Sequence, residues 1–166
     1  MASKSVLMTD TNIWIDLDNG GILADVFKLP YQFRIPNLAT PELIRPSWKT
    51  LQVLGVITQE LEPDLIQKLY AIRSKHRRLS ITDLAAYLLA KDLDATLLTG
   101  DWGLSELAAE SGISVHGILW ILDELVFFQS LRPRQASNAL NLILNGGARL
   151  PQKECQKRLR MWSTED

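Results

Sequence analysis

Ala95-Thr96-Leu97-Leu98-Thr99 is an apolar run of strand length, closed by Gly100-Asp101 and followed directly by a helical pattern. Val6-Leu7-Met8-Thr9 repeats the arrangement, with Asp10-Thr11-Asn12 opening the helix-like Ile13 to Leu17. Runs of this kind read as strands buried on both faces, the condition of a parallel sheet sandwiched between helices. The rest of the chain has to supply those helices.

It does so in near-regular alternation. Gly20-Gly21 interrupts the first helix, Ile22 to Leu29 resumes one, and Pro30 stops it before a short strand at Phe33-Arg34-Ile35. Thr40-Pro41-Glu42 has the form of a helix start, with Thr40 as N-cap, Pro41 at the first position and Glu42 in the positive first turn. The β-branched and leucine content between Leu51 and Thr58 predicts a further strand. Pro63 opens a helix with Leu65, Leu69 and Ile72 on one side, running out in Arg73-Ser74-Lys75-His76-Arg77-Arg78. Ser80-Ile81-Thr82-Asp83 is a capping box that starts another helix, reaching Leu93. Beyond Asp101 a helix spans Leu104 to Ser111 and ends at Gly112. Ile113 to His116 reads as the last strand, Leu119 to Phe128 as a helix, and two more helices follow from Pro133 to Leu144 and from Pro151 to Trp162.

The order predicts an α/β fold: a mostly parallel sheet of about five strands covered by helices on both faces, with a helical C-terminal extension. Residues 1–130 are the expected α/β domain, and residues 131–166 the extension, packed on that domain or dimerising it. The 166 residues and 46% hydrophobic content suffice for one buried core. A net charge of -1 argues against coating nucleic acid by bulk electrostatics and leaves room for a local basic patch. With Cys155 as its one cysteine, the chain has no intrachain disulfide and suits a reducing cytoplasm. Val6-Leu7-Met8 is too short for the apolar region of a signal peptide, and Ile118 to Phe128, broken by Asp123 and Glu124, is too short for a membrane span.

Four carboxylates sit where strand-like or loop segments turn into helices: Asp10, Glu42, Asp83 and Asp101. Ligands of open α/β sheets bind at the carboxyl ends of the strands, so these acids are expected to meet there. At about 4 Å two such charges repel by roughly 4 kcal/mol at an effective dielectric of 20, which calls for a bound cation or altered protonation. Each acid taken alone is also adequate as a helix cap or dipole partner. Ser, Thr and Asn cap as well as Asp, however, so four acids at one sheet edge favour metal ligation. A site of carboxylates without a His or Cys cluster suits Mg²⁺ or Mn²⁺, ions able to activate water against a phosphodiester. Asn12 and Thr99 lie beside this edge, as positioning groups or as turn residues.

Asp10-Thr11-Asn12, Thr40-Pro41-Glu42-Leu43, Thr82-Asp83-Leu84-Ala85-Ala86 and Leu98-Thr99-Gly100-Asp101 together resemble, in order and spacing, the acidic motifs of PIN-domain nucleases. Val115 to Asp123 and Gly147-Ala148-Arg149-Leu150-Pro151 resemble a prokaryotic, toxin-like subgroup of that family. The resemblance implies a parallel sheet between helices, Mg²⁺ or Mn²⁺ dependence and endonucleolytic cleavage of single-stranded RNA. It also implies Asp10, Glu42, Asp83 and Asp101 as catalytic metal ligands, a cognate antitoxin protein as partner, and a homodimer. Leu104 stands where many family members carry a further acid, so the number of metals stays open.

Arg73, Lys75, Arg77 and Arg78 precede Asp83 closely and are candidates to guide the RNA backbone, the alternative being a solvated helix end. Trp14 and Trp102 each follow an acidic motif closely, and both base stacking and core packing are open to them. Trp120, Phe127 and Phe128 offer much apolar surface for a homodimer, unless the tail itself folds over them. The rival to a ribonuclease is a catalytically silent PIN-like module that binds RNA or protein, its acids merely capping helices.

Overall fold

A computed structural model describes residues 3–164. Five strands, β1 (Ser5–Thr9), β2 (Tyr31–Pro36), β3 (Ile57–Gln59), β4 (Thr96–Leu98) and β5 (Val115–His116), form one sheet in the order β3-β2-β1-β4-β5. Every neighbouring pair is parallel. In register, Leu7 of β1 stands beside Phe33 of β2 and Thr96 of β4.

The central strands β1 and β4 are apolar on both faces at Leu7, Met8, Leu97 and Leu98 because helices cover both sides. Leu7, Phe33, Ile35 and Leu98 point into a core with α1 (Thr11–Asn19), α7 (Ile118–Phe127), α8 (Pro133–Asn145) and α9 (Gln152–Ser163). Their strand neighbours Met8 and Leu97 point the other way, onto α4 (Pro63–Arg73), α5 (Ile81–Asp92) and α6 (Trp102–Glu110). The period-two alternation of a strand thus feeds two separate apolar layers. α2 (Leu23–Val26) and α3 (Trp48–Leu54) lie at the β2 and β3 side of the chain path.

Three expected elements differ. Ser47 caps α3, its hydroxyl accepting from the Thr50 amide, so Leu51 to Leu54 are helical and only Ile57–Gln59 is strand. Leu51 is buried while Val53 is 80% exposed, the one-sided burial of a surface helix rather than of an inner strand. Gly55 at φ 125 turns the chain out of that helix. Thr40-Pro41-Glu42 closes a 3-10 helix (Asn37–Glu42) instead of opening an α-helix. The expected helix from Ile22 to Leu29 contracts to the four residues of α2.

Residues 131–164 form no separate layer. Ala136, Ala139, Leu140 and Ile143 of α8 and Cys155 and Trp162 of α9 share the core of Leu7 and Trp14. A Cβ on Gly20 would stand 2.9 Å from Ile143 Cγ1, so the glycine break after α1 permits the close approach of α8. The tail covers much of α7: Arg158 Nε and Nη2 donate to Asp123 at 2.8 and 2.6 Å, and Nη1 donates to Glu154 Oε2 at 3.0 Å. Trp120 is occupied within the chain, stacked on His116 at 4.3 Å and tilted against Tyr31 at 5.6 Å. Of the surface expected to seek a second copy, Phe127 stays 75% exposed and Phe128 41%. No helix among the described residues is long and apolar enough to cross a membrane.

Candidate active site

The chain runs β1, β2, β3 outward on one side, and returns through α4 and α5 to place β4 and β5 on the other side of β1. The connections reverse direction between β1 and β4, where the carboxyl ends of an open sheet leave a crevice. Asp10 follows the last residue of β1, and Asp101 follows β4 by three residues.

Asp10 is the N-cap of α1 and only 4% exposed. Its Oδ1 accepts from the Ile13 amide at 3.0 Å and its Oδ2 from the Thr99 hydroxyl at 2.5 Å. Burial pushes its carboxyl up to about 6, with the charges of Asp83 and Asp101 acting in the same direction and the bonds from Thr99 and Ile13 opposing. The same Thr99 oxygen accepts from the Asp101 amide at 3.0 Å. One hydroxyl therefore joins the exits of β1 and β4. Asp101 caps α6 through Oδ1, which accepts from the Leu104 amide at 2.8 Å.

Asp83 and Ser80 form both halves of the capping box: Ser80 N–H donates to Asp83 Oδ2 at 3.2 Å, and Asp83 N–H to Ser80 Oγ at 3.0 Å. Glu42, at the end of its 3-10 helix, reaches across to the start of α5. Its carboxylate accepts from the Thr82 hydroxyl at 3.1 and 3.3 Å and, at 3.5 Å, from that of Thr11. The four acids thus border one edge, each held by at least one hydrogen bond. None of the ion pairs among the described residues involves them, those pairs being Lys28 with Asp25 and Arg158 with Asp123 and Glu154.

The donor set is all oxygen, and Asp10 is a buried carboxyl with acid neighbours and no cation to offset them. That chemistry fits a hard divalent ion. No group of three or more His, Cys, Asp or Glu side chains placed to hold a metal ion is present among the described residues. Mg²⁺ does not require one, since it keeps several waters and takes one or two carboxylates plus substrate phosphates.

The cations divide. Arg73 Nη1 donates to the Leu79 carbonyl at 2.8 Å and braces the loop after α4, a structural task distinct from the expected contact with RNA. Lys75, Arg77 and Arg78 are exposed and, with Asp101 and Trp102, line a cavity of about 710 Å³. Exposed Asn12 borders a second cavity, of about 310 Å³, with Asp16, Asp101 and Arg149.

Three contributors carried no usable local signal, and a fourth, Trp102, had two readings that only the fold separates. Thr82 grips Glu42 from 40 positions away in sequence. Asp16, its carboxyl raised by burial, shares the Asn12 cavity. Arg149 arrives there from the loop between α8 and α9, which only the tertiary fold brings back. Trp102 follows Asp101 as Trp14 follows Asp10, yet Trp102 is 77% exposed whereas Trp14 is wholly buried, its indole donating to Thr9 Oγ1 at 2.8 Å.

An all-parallel 3-2-1-4-5 sheet with acids at the β1 and β4 exits defines an open α/β protein with an acidic crevice. A family model described as "PIN domain" matches residues 6–164, and the chain belongs to that family. Among solved structures it is similar to a PilT N-terminus domain protein from the hyperthermophilic archaeon Sulfolobus solfataricus P2. The two share 18% identity and a TM-score of 0.50, over 76% of this chain and 93% of the other, a likeness of fold. No match to a curated protein was found.

Proposed function

We propose that this protein is a divalent-metal-dependent endoribonuclease that hydrolyses phosphodiester bonds of single-stranded RNA. The observation that carries this reading is Asp10: a carboxyl 4% exposed, at the switch point of the sheet, facing the charge of two further acids with no cation partner. Such a group is costly to keep ionised and is used where its charge is needed. Mg²⁺ or Mn²⁺, when bound, supplies an activated water and stabilises the departing oxygen.

Asp10 and Asp101, linked through Thr99, are the residues assigned to hold the ion, with Asp83 and Glu42 completing the acid edge. Thr99 fixes the Asp10 carboxylate beside the exit of β4. Thr82 orients Glu42, and Asn12 presents an amide at the mouth of the cavity it shares with Asp101. Lys75, Arg77 and Arg78 offer phosphates a positive wall beside Asp101.

The setting we assign is the cytoplasm, as the toxin of a toxin and antitoxin pair. A homodimer through the exposed rim of α7 and α9, where Phe127 and Met161 border one cavity, belongs to the same reading. Cleavage of single-stranded RNA in Mg²⁺ or Mn²⁺, lost on chelation and restored by adding the ion back, tests the activity. A second reading, a silent binding module, is favoured by the capping bonds that Asp10, Asp83 and Asp101 all make. It predicts RNA binding without cleavage in any divalent ion.

A further inference from the structure

Trp102 is the first residue of α6 and follows Asp101 directly. With 77% of its surface exposed it has the largest exposed ring system among the described residues. No core contact accounts for it, and none of the aromatic pairs among the described residues includes it. It stands between two cavities, both of which also reach Asp101. One, of about 710 Å³, carries Lys75, Arg77 and Arg78; the other, of about 690 Å³, carries Arg149 with Thr99 and Ser105. Those cations are exposed and enter none of the ion pairs found among the described residues.

An exposed indole with unpaired cations on either side is the composition of a single-strand nucleic-acid groove, in which bases stack on aromatic rings while Arg and Lys follow the phosphates. A duplex presents no unstacked base to such a ring. On one side of Trp102 the wall is mixed in charge, Lys75, Arg77 and Arg78 with Asp101 and Glu106, and on the other Ile118, Leu119, Leu150 and Pro151 add apolar surface beside Arg149; the exposed cations on both flanks favour a nucleic-acid strand over a protein partner.

We propose that Trp102 is the base-stacking platform of a track running from Arg77 and Arg78, over Trp102, to Arg149. A strand lying on it has its backbone held on both sides of Asp101, and the ring sets which phosphodiester meets the acids. The ligand is thereby single-stranded nucleic acid, a specification that rests on the nuclease reading above and is tested through binding, apart from cleavage.

The test measures affinity for a fluorescent single-stranded oligoribonucleotide and for its duplex, in an Asp10→Asn background so that the probe survives. Loss of one stacked base weakens binding roughly 5- to 150-fold, so Trp102→Ala should lie in that range with an unchanged salt slope. Trp102→Phe should restore most of the affinity while abolishing the quenching of indole emission that binding causes. Arg149→Ala should flatten the slope of log affinity against log salt by about 0.7, and Arg77→Ala with Arg78→Ala by about 1.4. The duplex should bind at least about tenfold more weakly, since it offers no free base. Unchanged affinity in Trp102→Ala, or a loss that Phe does not restore, overturns the stacking role and assigns the ring to a protein partner. Binding of no oligonucleotide by the parent overturns the track and the nuclease reading together; normal binding without cleavage in the Asp10 protein overturns the nuclease reading and leaves the track standing.

Discussion

The Thr99 hydroxyl donates to Asp10 Oδ2 at 2.5 Å from the adjacent strand exit, 89 residues away in sequence. It is the larger of the two contacts that lower the Asp10 carboxyl against burial, the other being the Ile13 amide, and it leaves the same oxygen to accept from the Asp101 amide at 3.0 Å. Thr99→Val keeps the shape and removes both bonds. The Asp10 carboxyl then moves further up, so the acid limb of the activity profile shifts to higher pH. Thr99→Ser should retain the parent profile. A Val variant with lowered activity but an unmoved limb would assign Thr99 to folding alone.

The same carboxyl governs stability of the metal-free protein. Its folded value of about 6 lies above the ordinary 3.8, so the folded state holds the proton more tightly than the unfolded one. This contribution is fully present below pH 3.8, falls as pH rises through 6, and amounts to about 3 kcal/mol between the two limits. With chelator present, thermal unfolding should show a decline between about pH 4 and pH 6 that Asp10→Asn reduces. The gain for Asn at neutral pH is only part of that amount, because Asn has one acceptor oxygen where Ile13 and Thr99 use two on Asp10. An equal decline in both proteins would place the pH dependence elsewhere.

What was legible in the sequence was whatever depends on neighbours in the chain. Apolar strands ending in Asp10 and Asp101, the Ser80 capping box and the Pro63 helix start are local patterns, and they stand where they were expected. Leu51 to Leu54 misled because the β-branched and leucine content of the stretch from Leu51 to Thr58 mimics one strand, while the Ser47 cap and one-sided burial decide for a helix. Glu42 comes to this edge from the end of a 3-10 helix rather than from the start of an α-helix, held by Thr82 through a long-range bond without sequence periodicity. The bond from Arg73 to the Leu79 carbonyl was not legible, because that partner is a backbone atom that no residue type announces.

Thr82→Val tests that long-range bond. It leaves α5 capped by Ser80 and Asp83, but leaves Glu42 with only the 3.5 Å contact from Thr11. Misplacement of a positioned group costs up to about a hundredfold, so kcat should fall by about ten- to a hundredfold with KM little changed, and Thr82→Ser should recover most of it. Parent activity in the Val variant would remove Glu42 from the working site.

The assembly is open to a direct check. Phe127 and Met161 are 75% and 47% exposed on neighbouring helices, and light scattering at micromolar concentration should give twice the chain mass of 18.7 kDa. Phe127→Glu places a charge on that face and should return the monomer. A parent protein that is monomeric throughout contradicts the dimer.

Cleavage of a single-stranded RNA in Mg²⁺ or Mn²⁺ by the parent and by Asp10→Asn is the most direct measurement of the central claim. Asn is as good a helix cap as Asp, so the variant keeps the fold, verified by an unchanged circular dichroism spectrum, and lacks the charge that holds the ion. The account predicts cleavage by the parent that chelation abolishes, and a loss of at least about a thousandfold in the variant, given that metal activation of water supplies the nucleophile. Full activity of the folded Asn variant, or cleavage by the parent that persists in chelator, would contradict it.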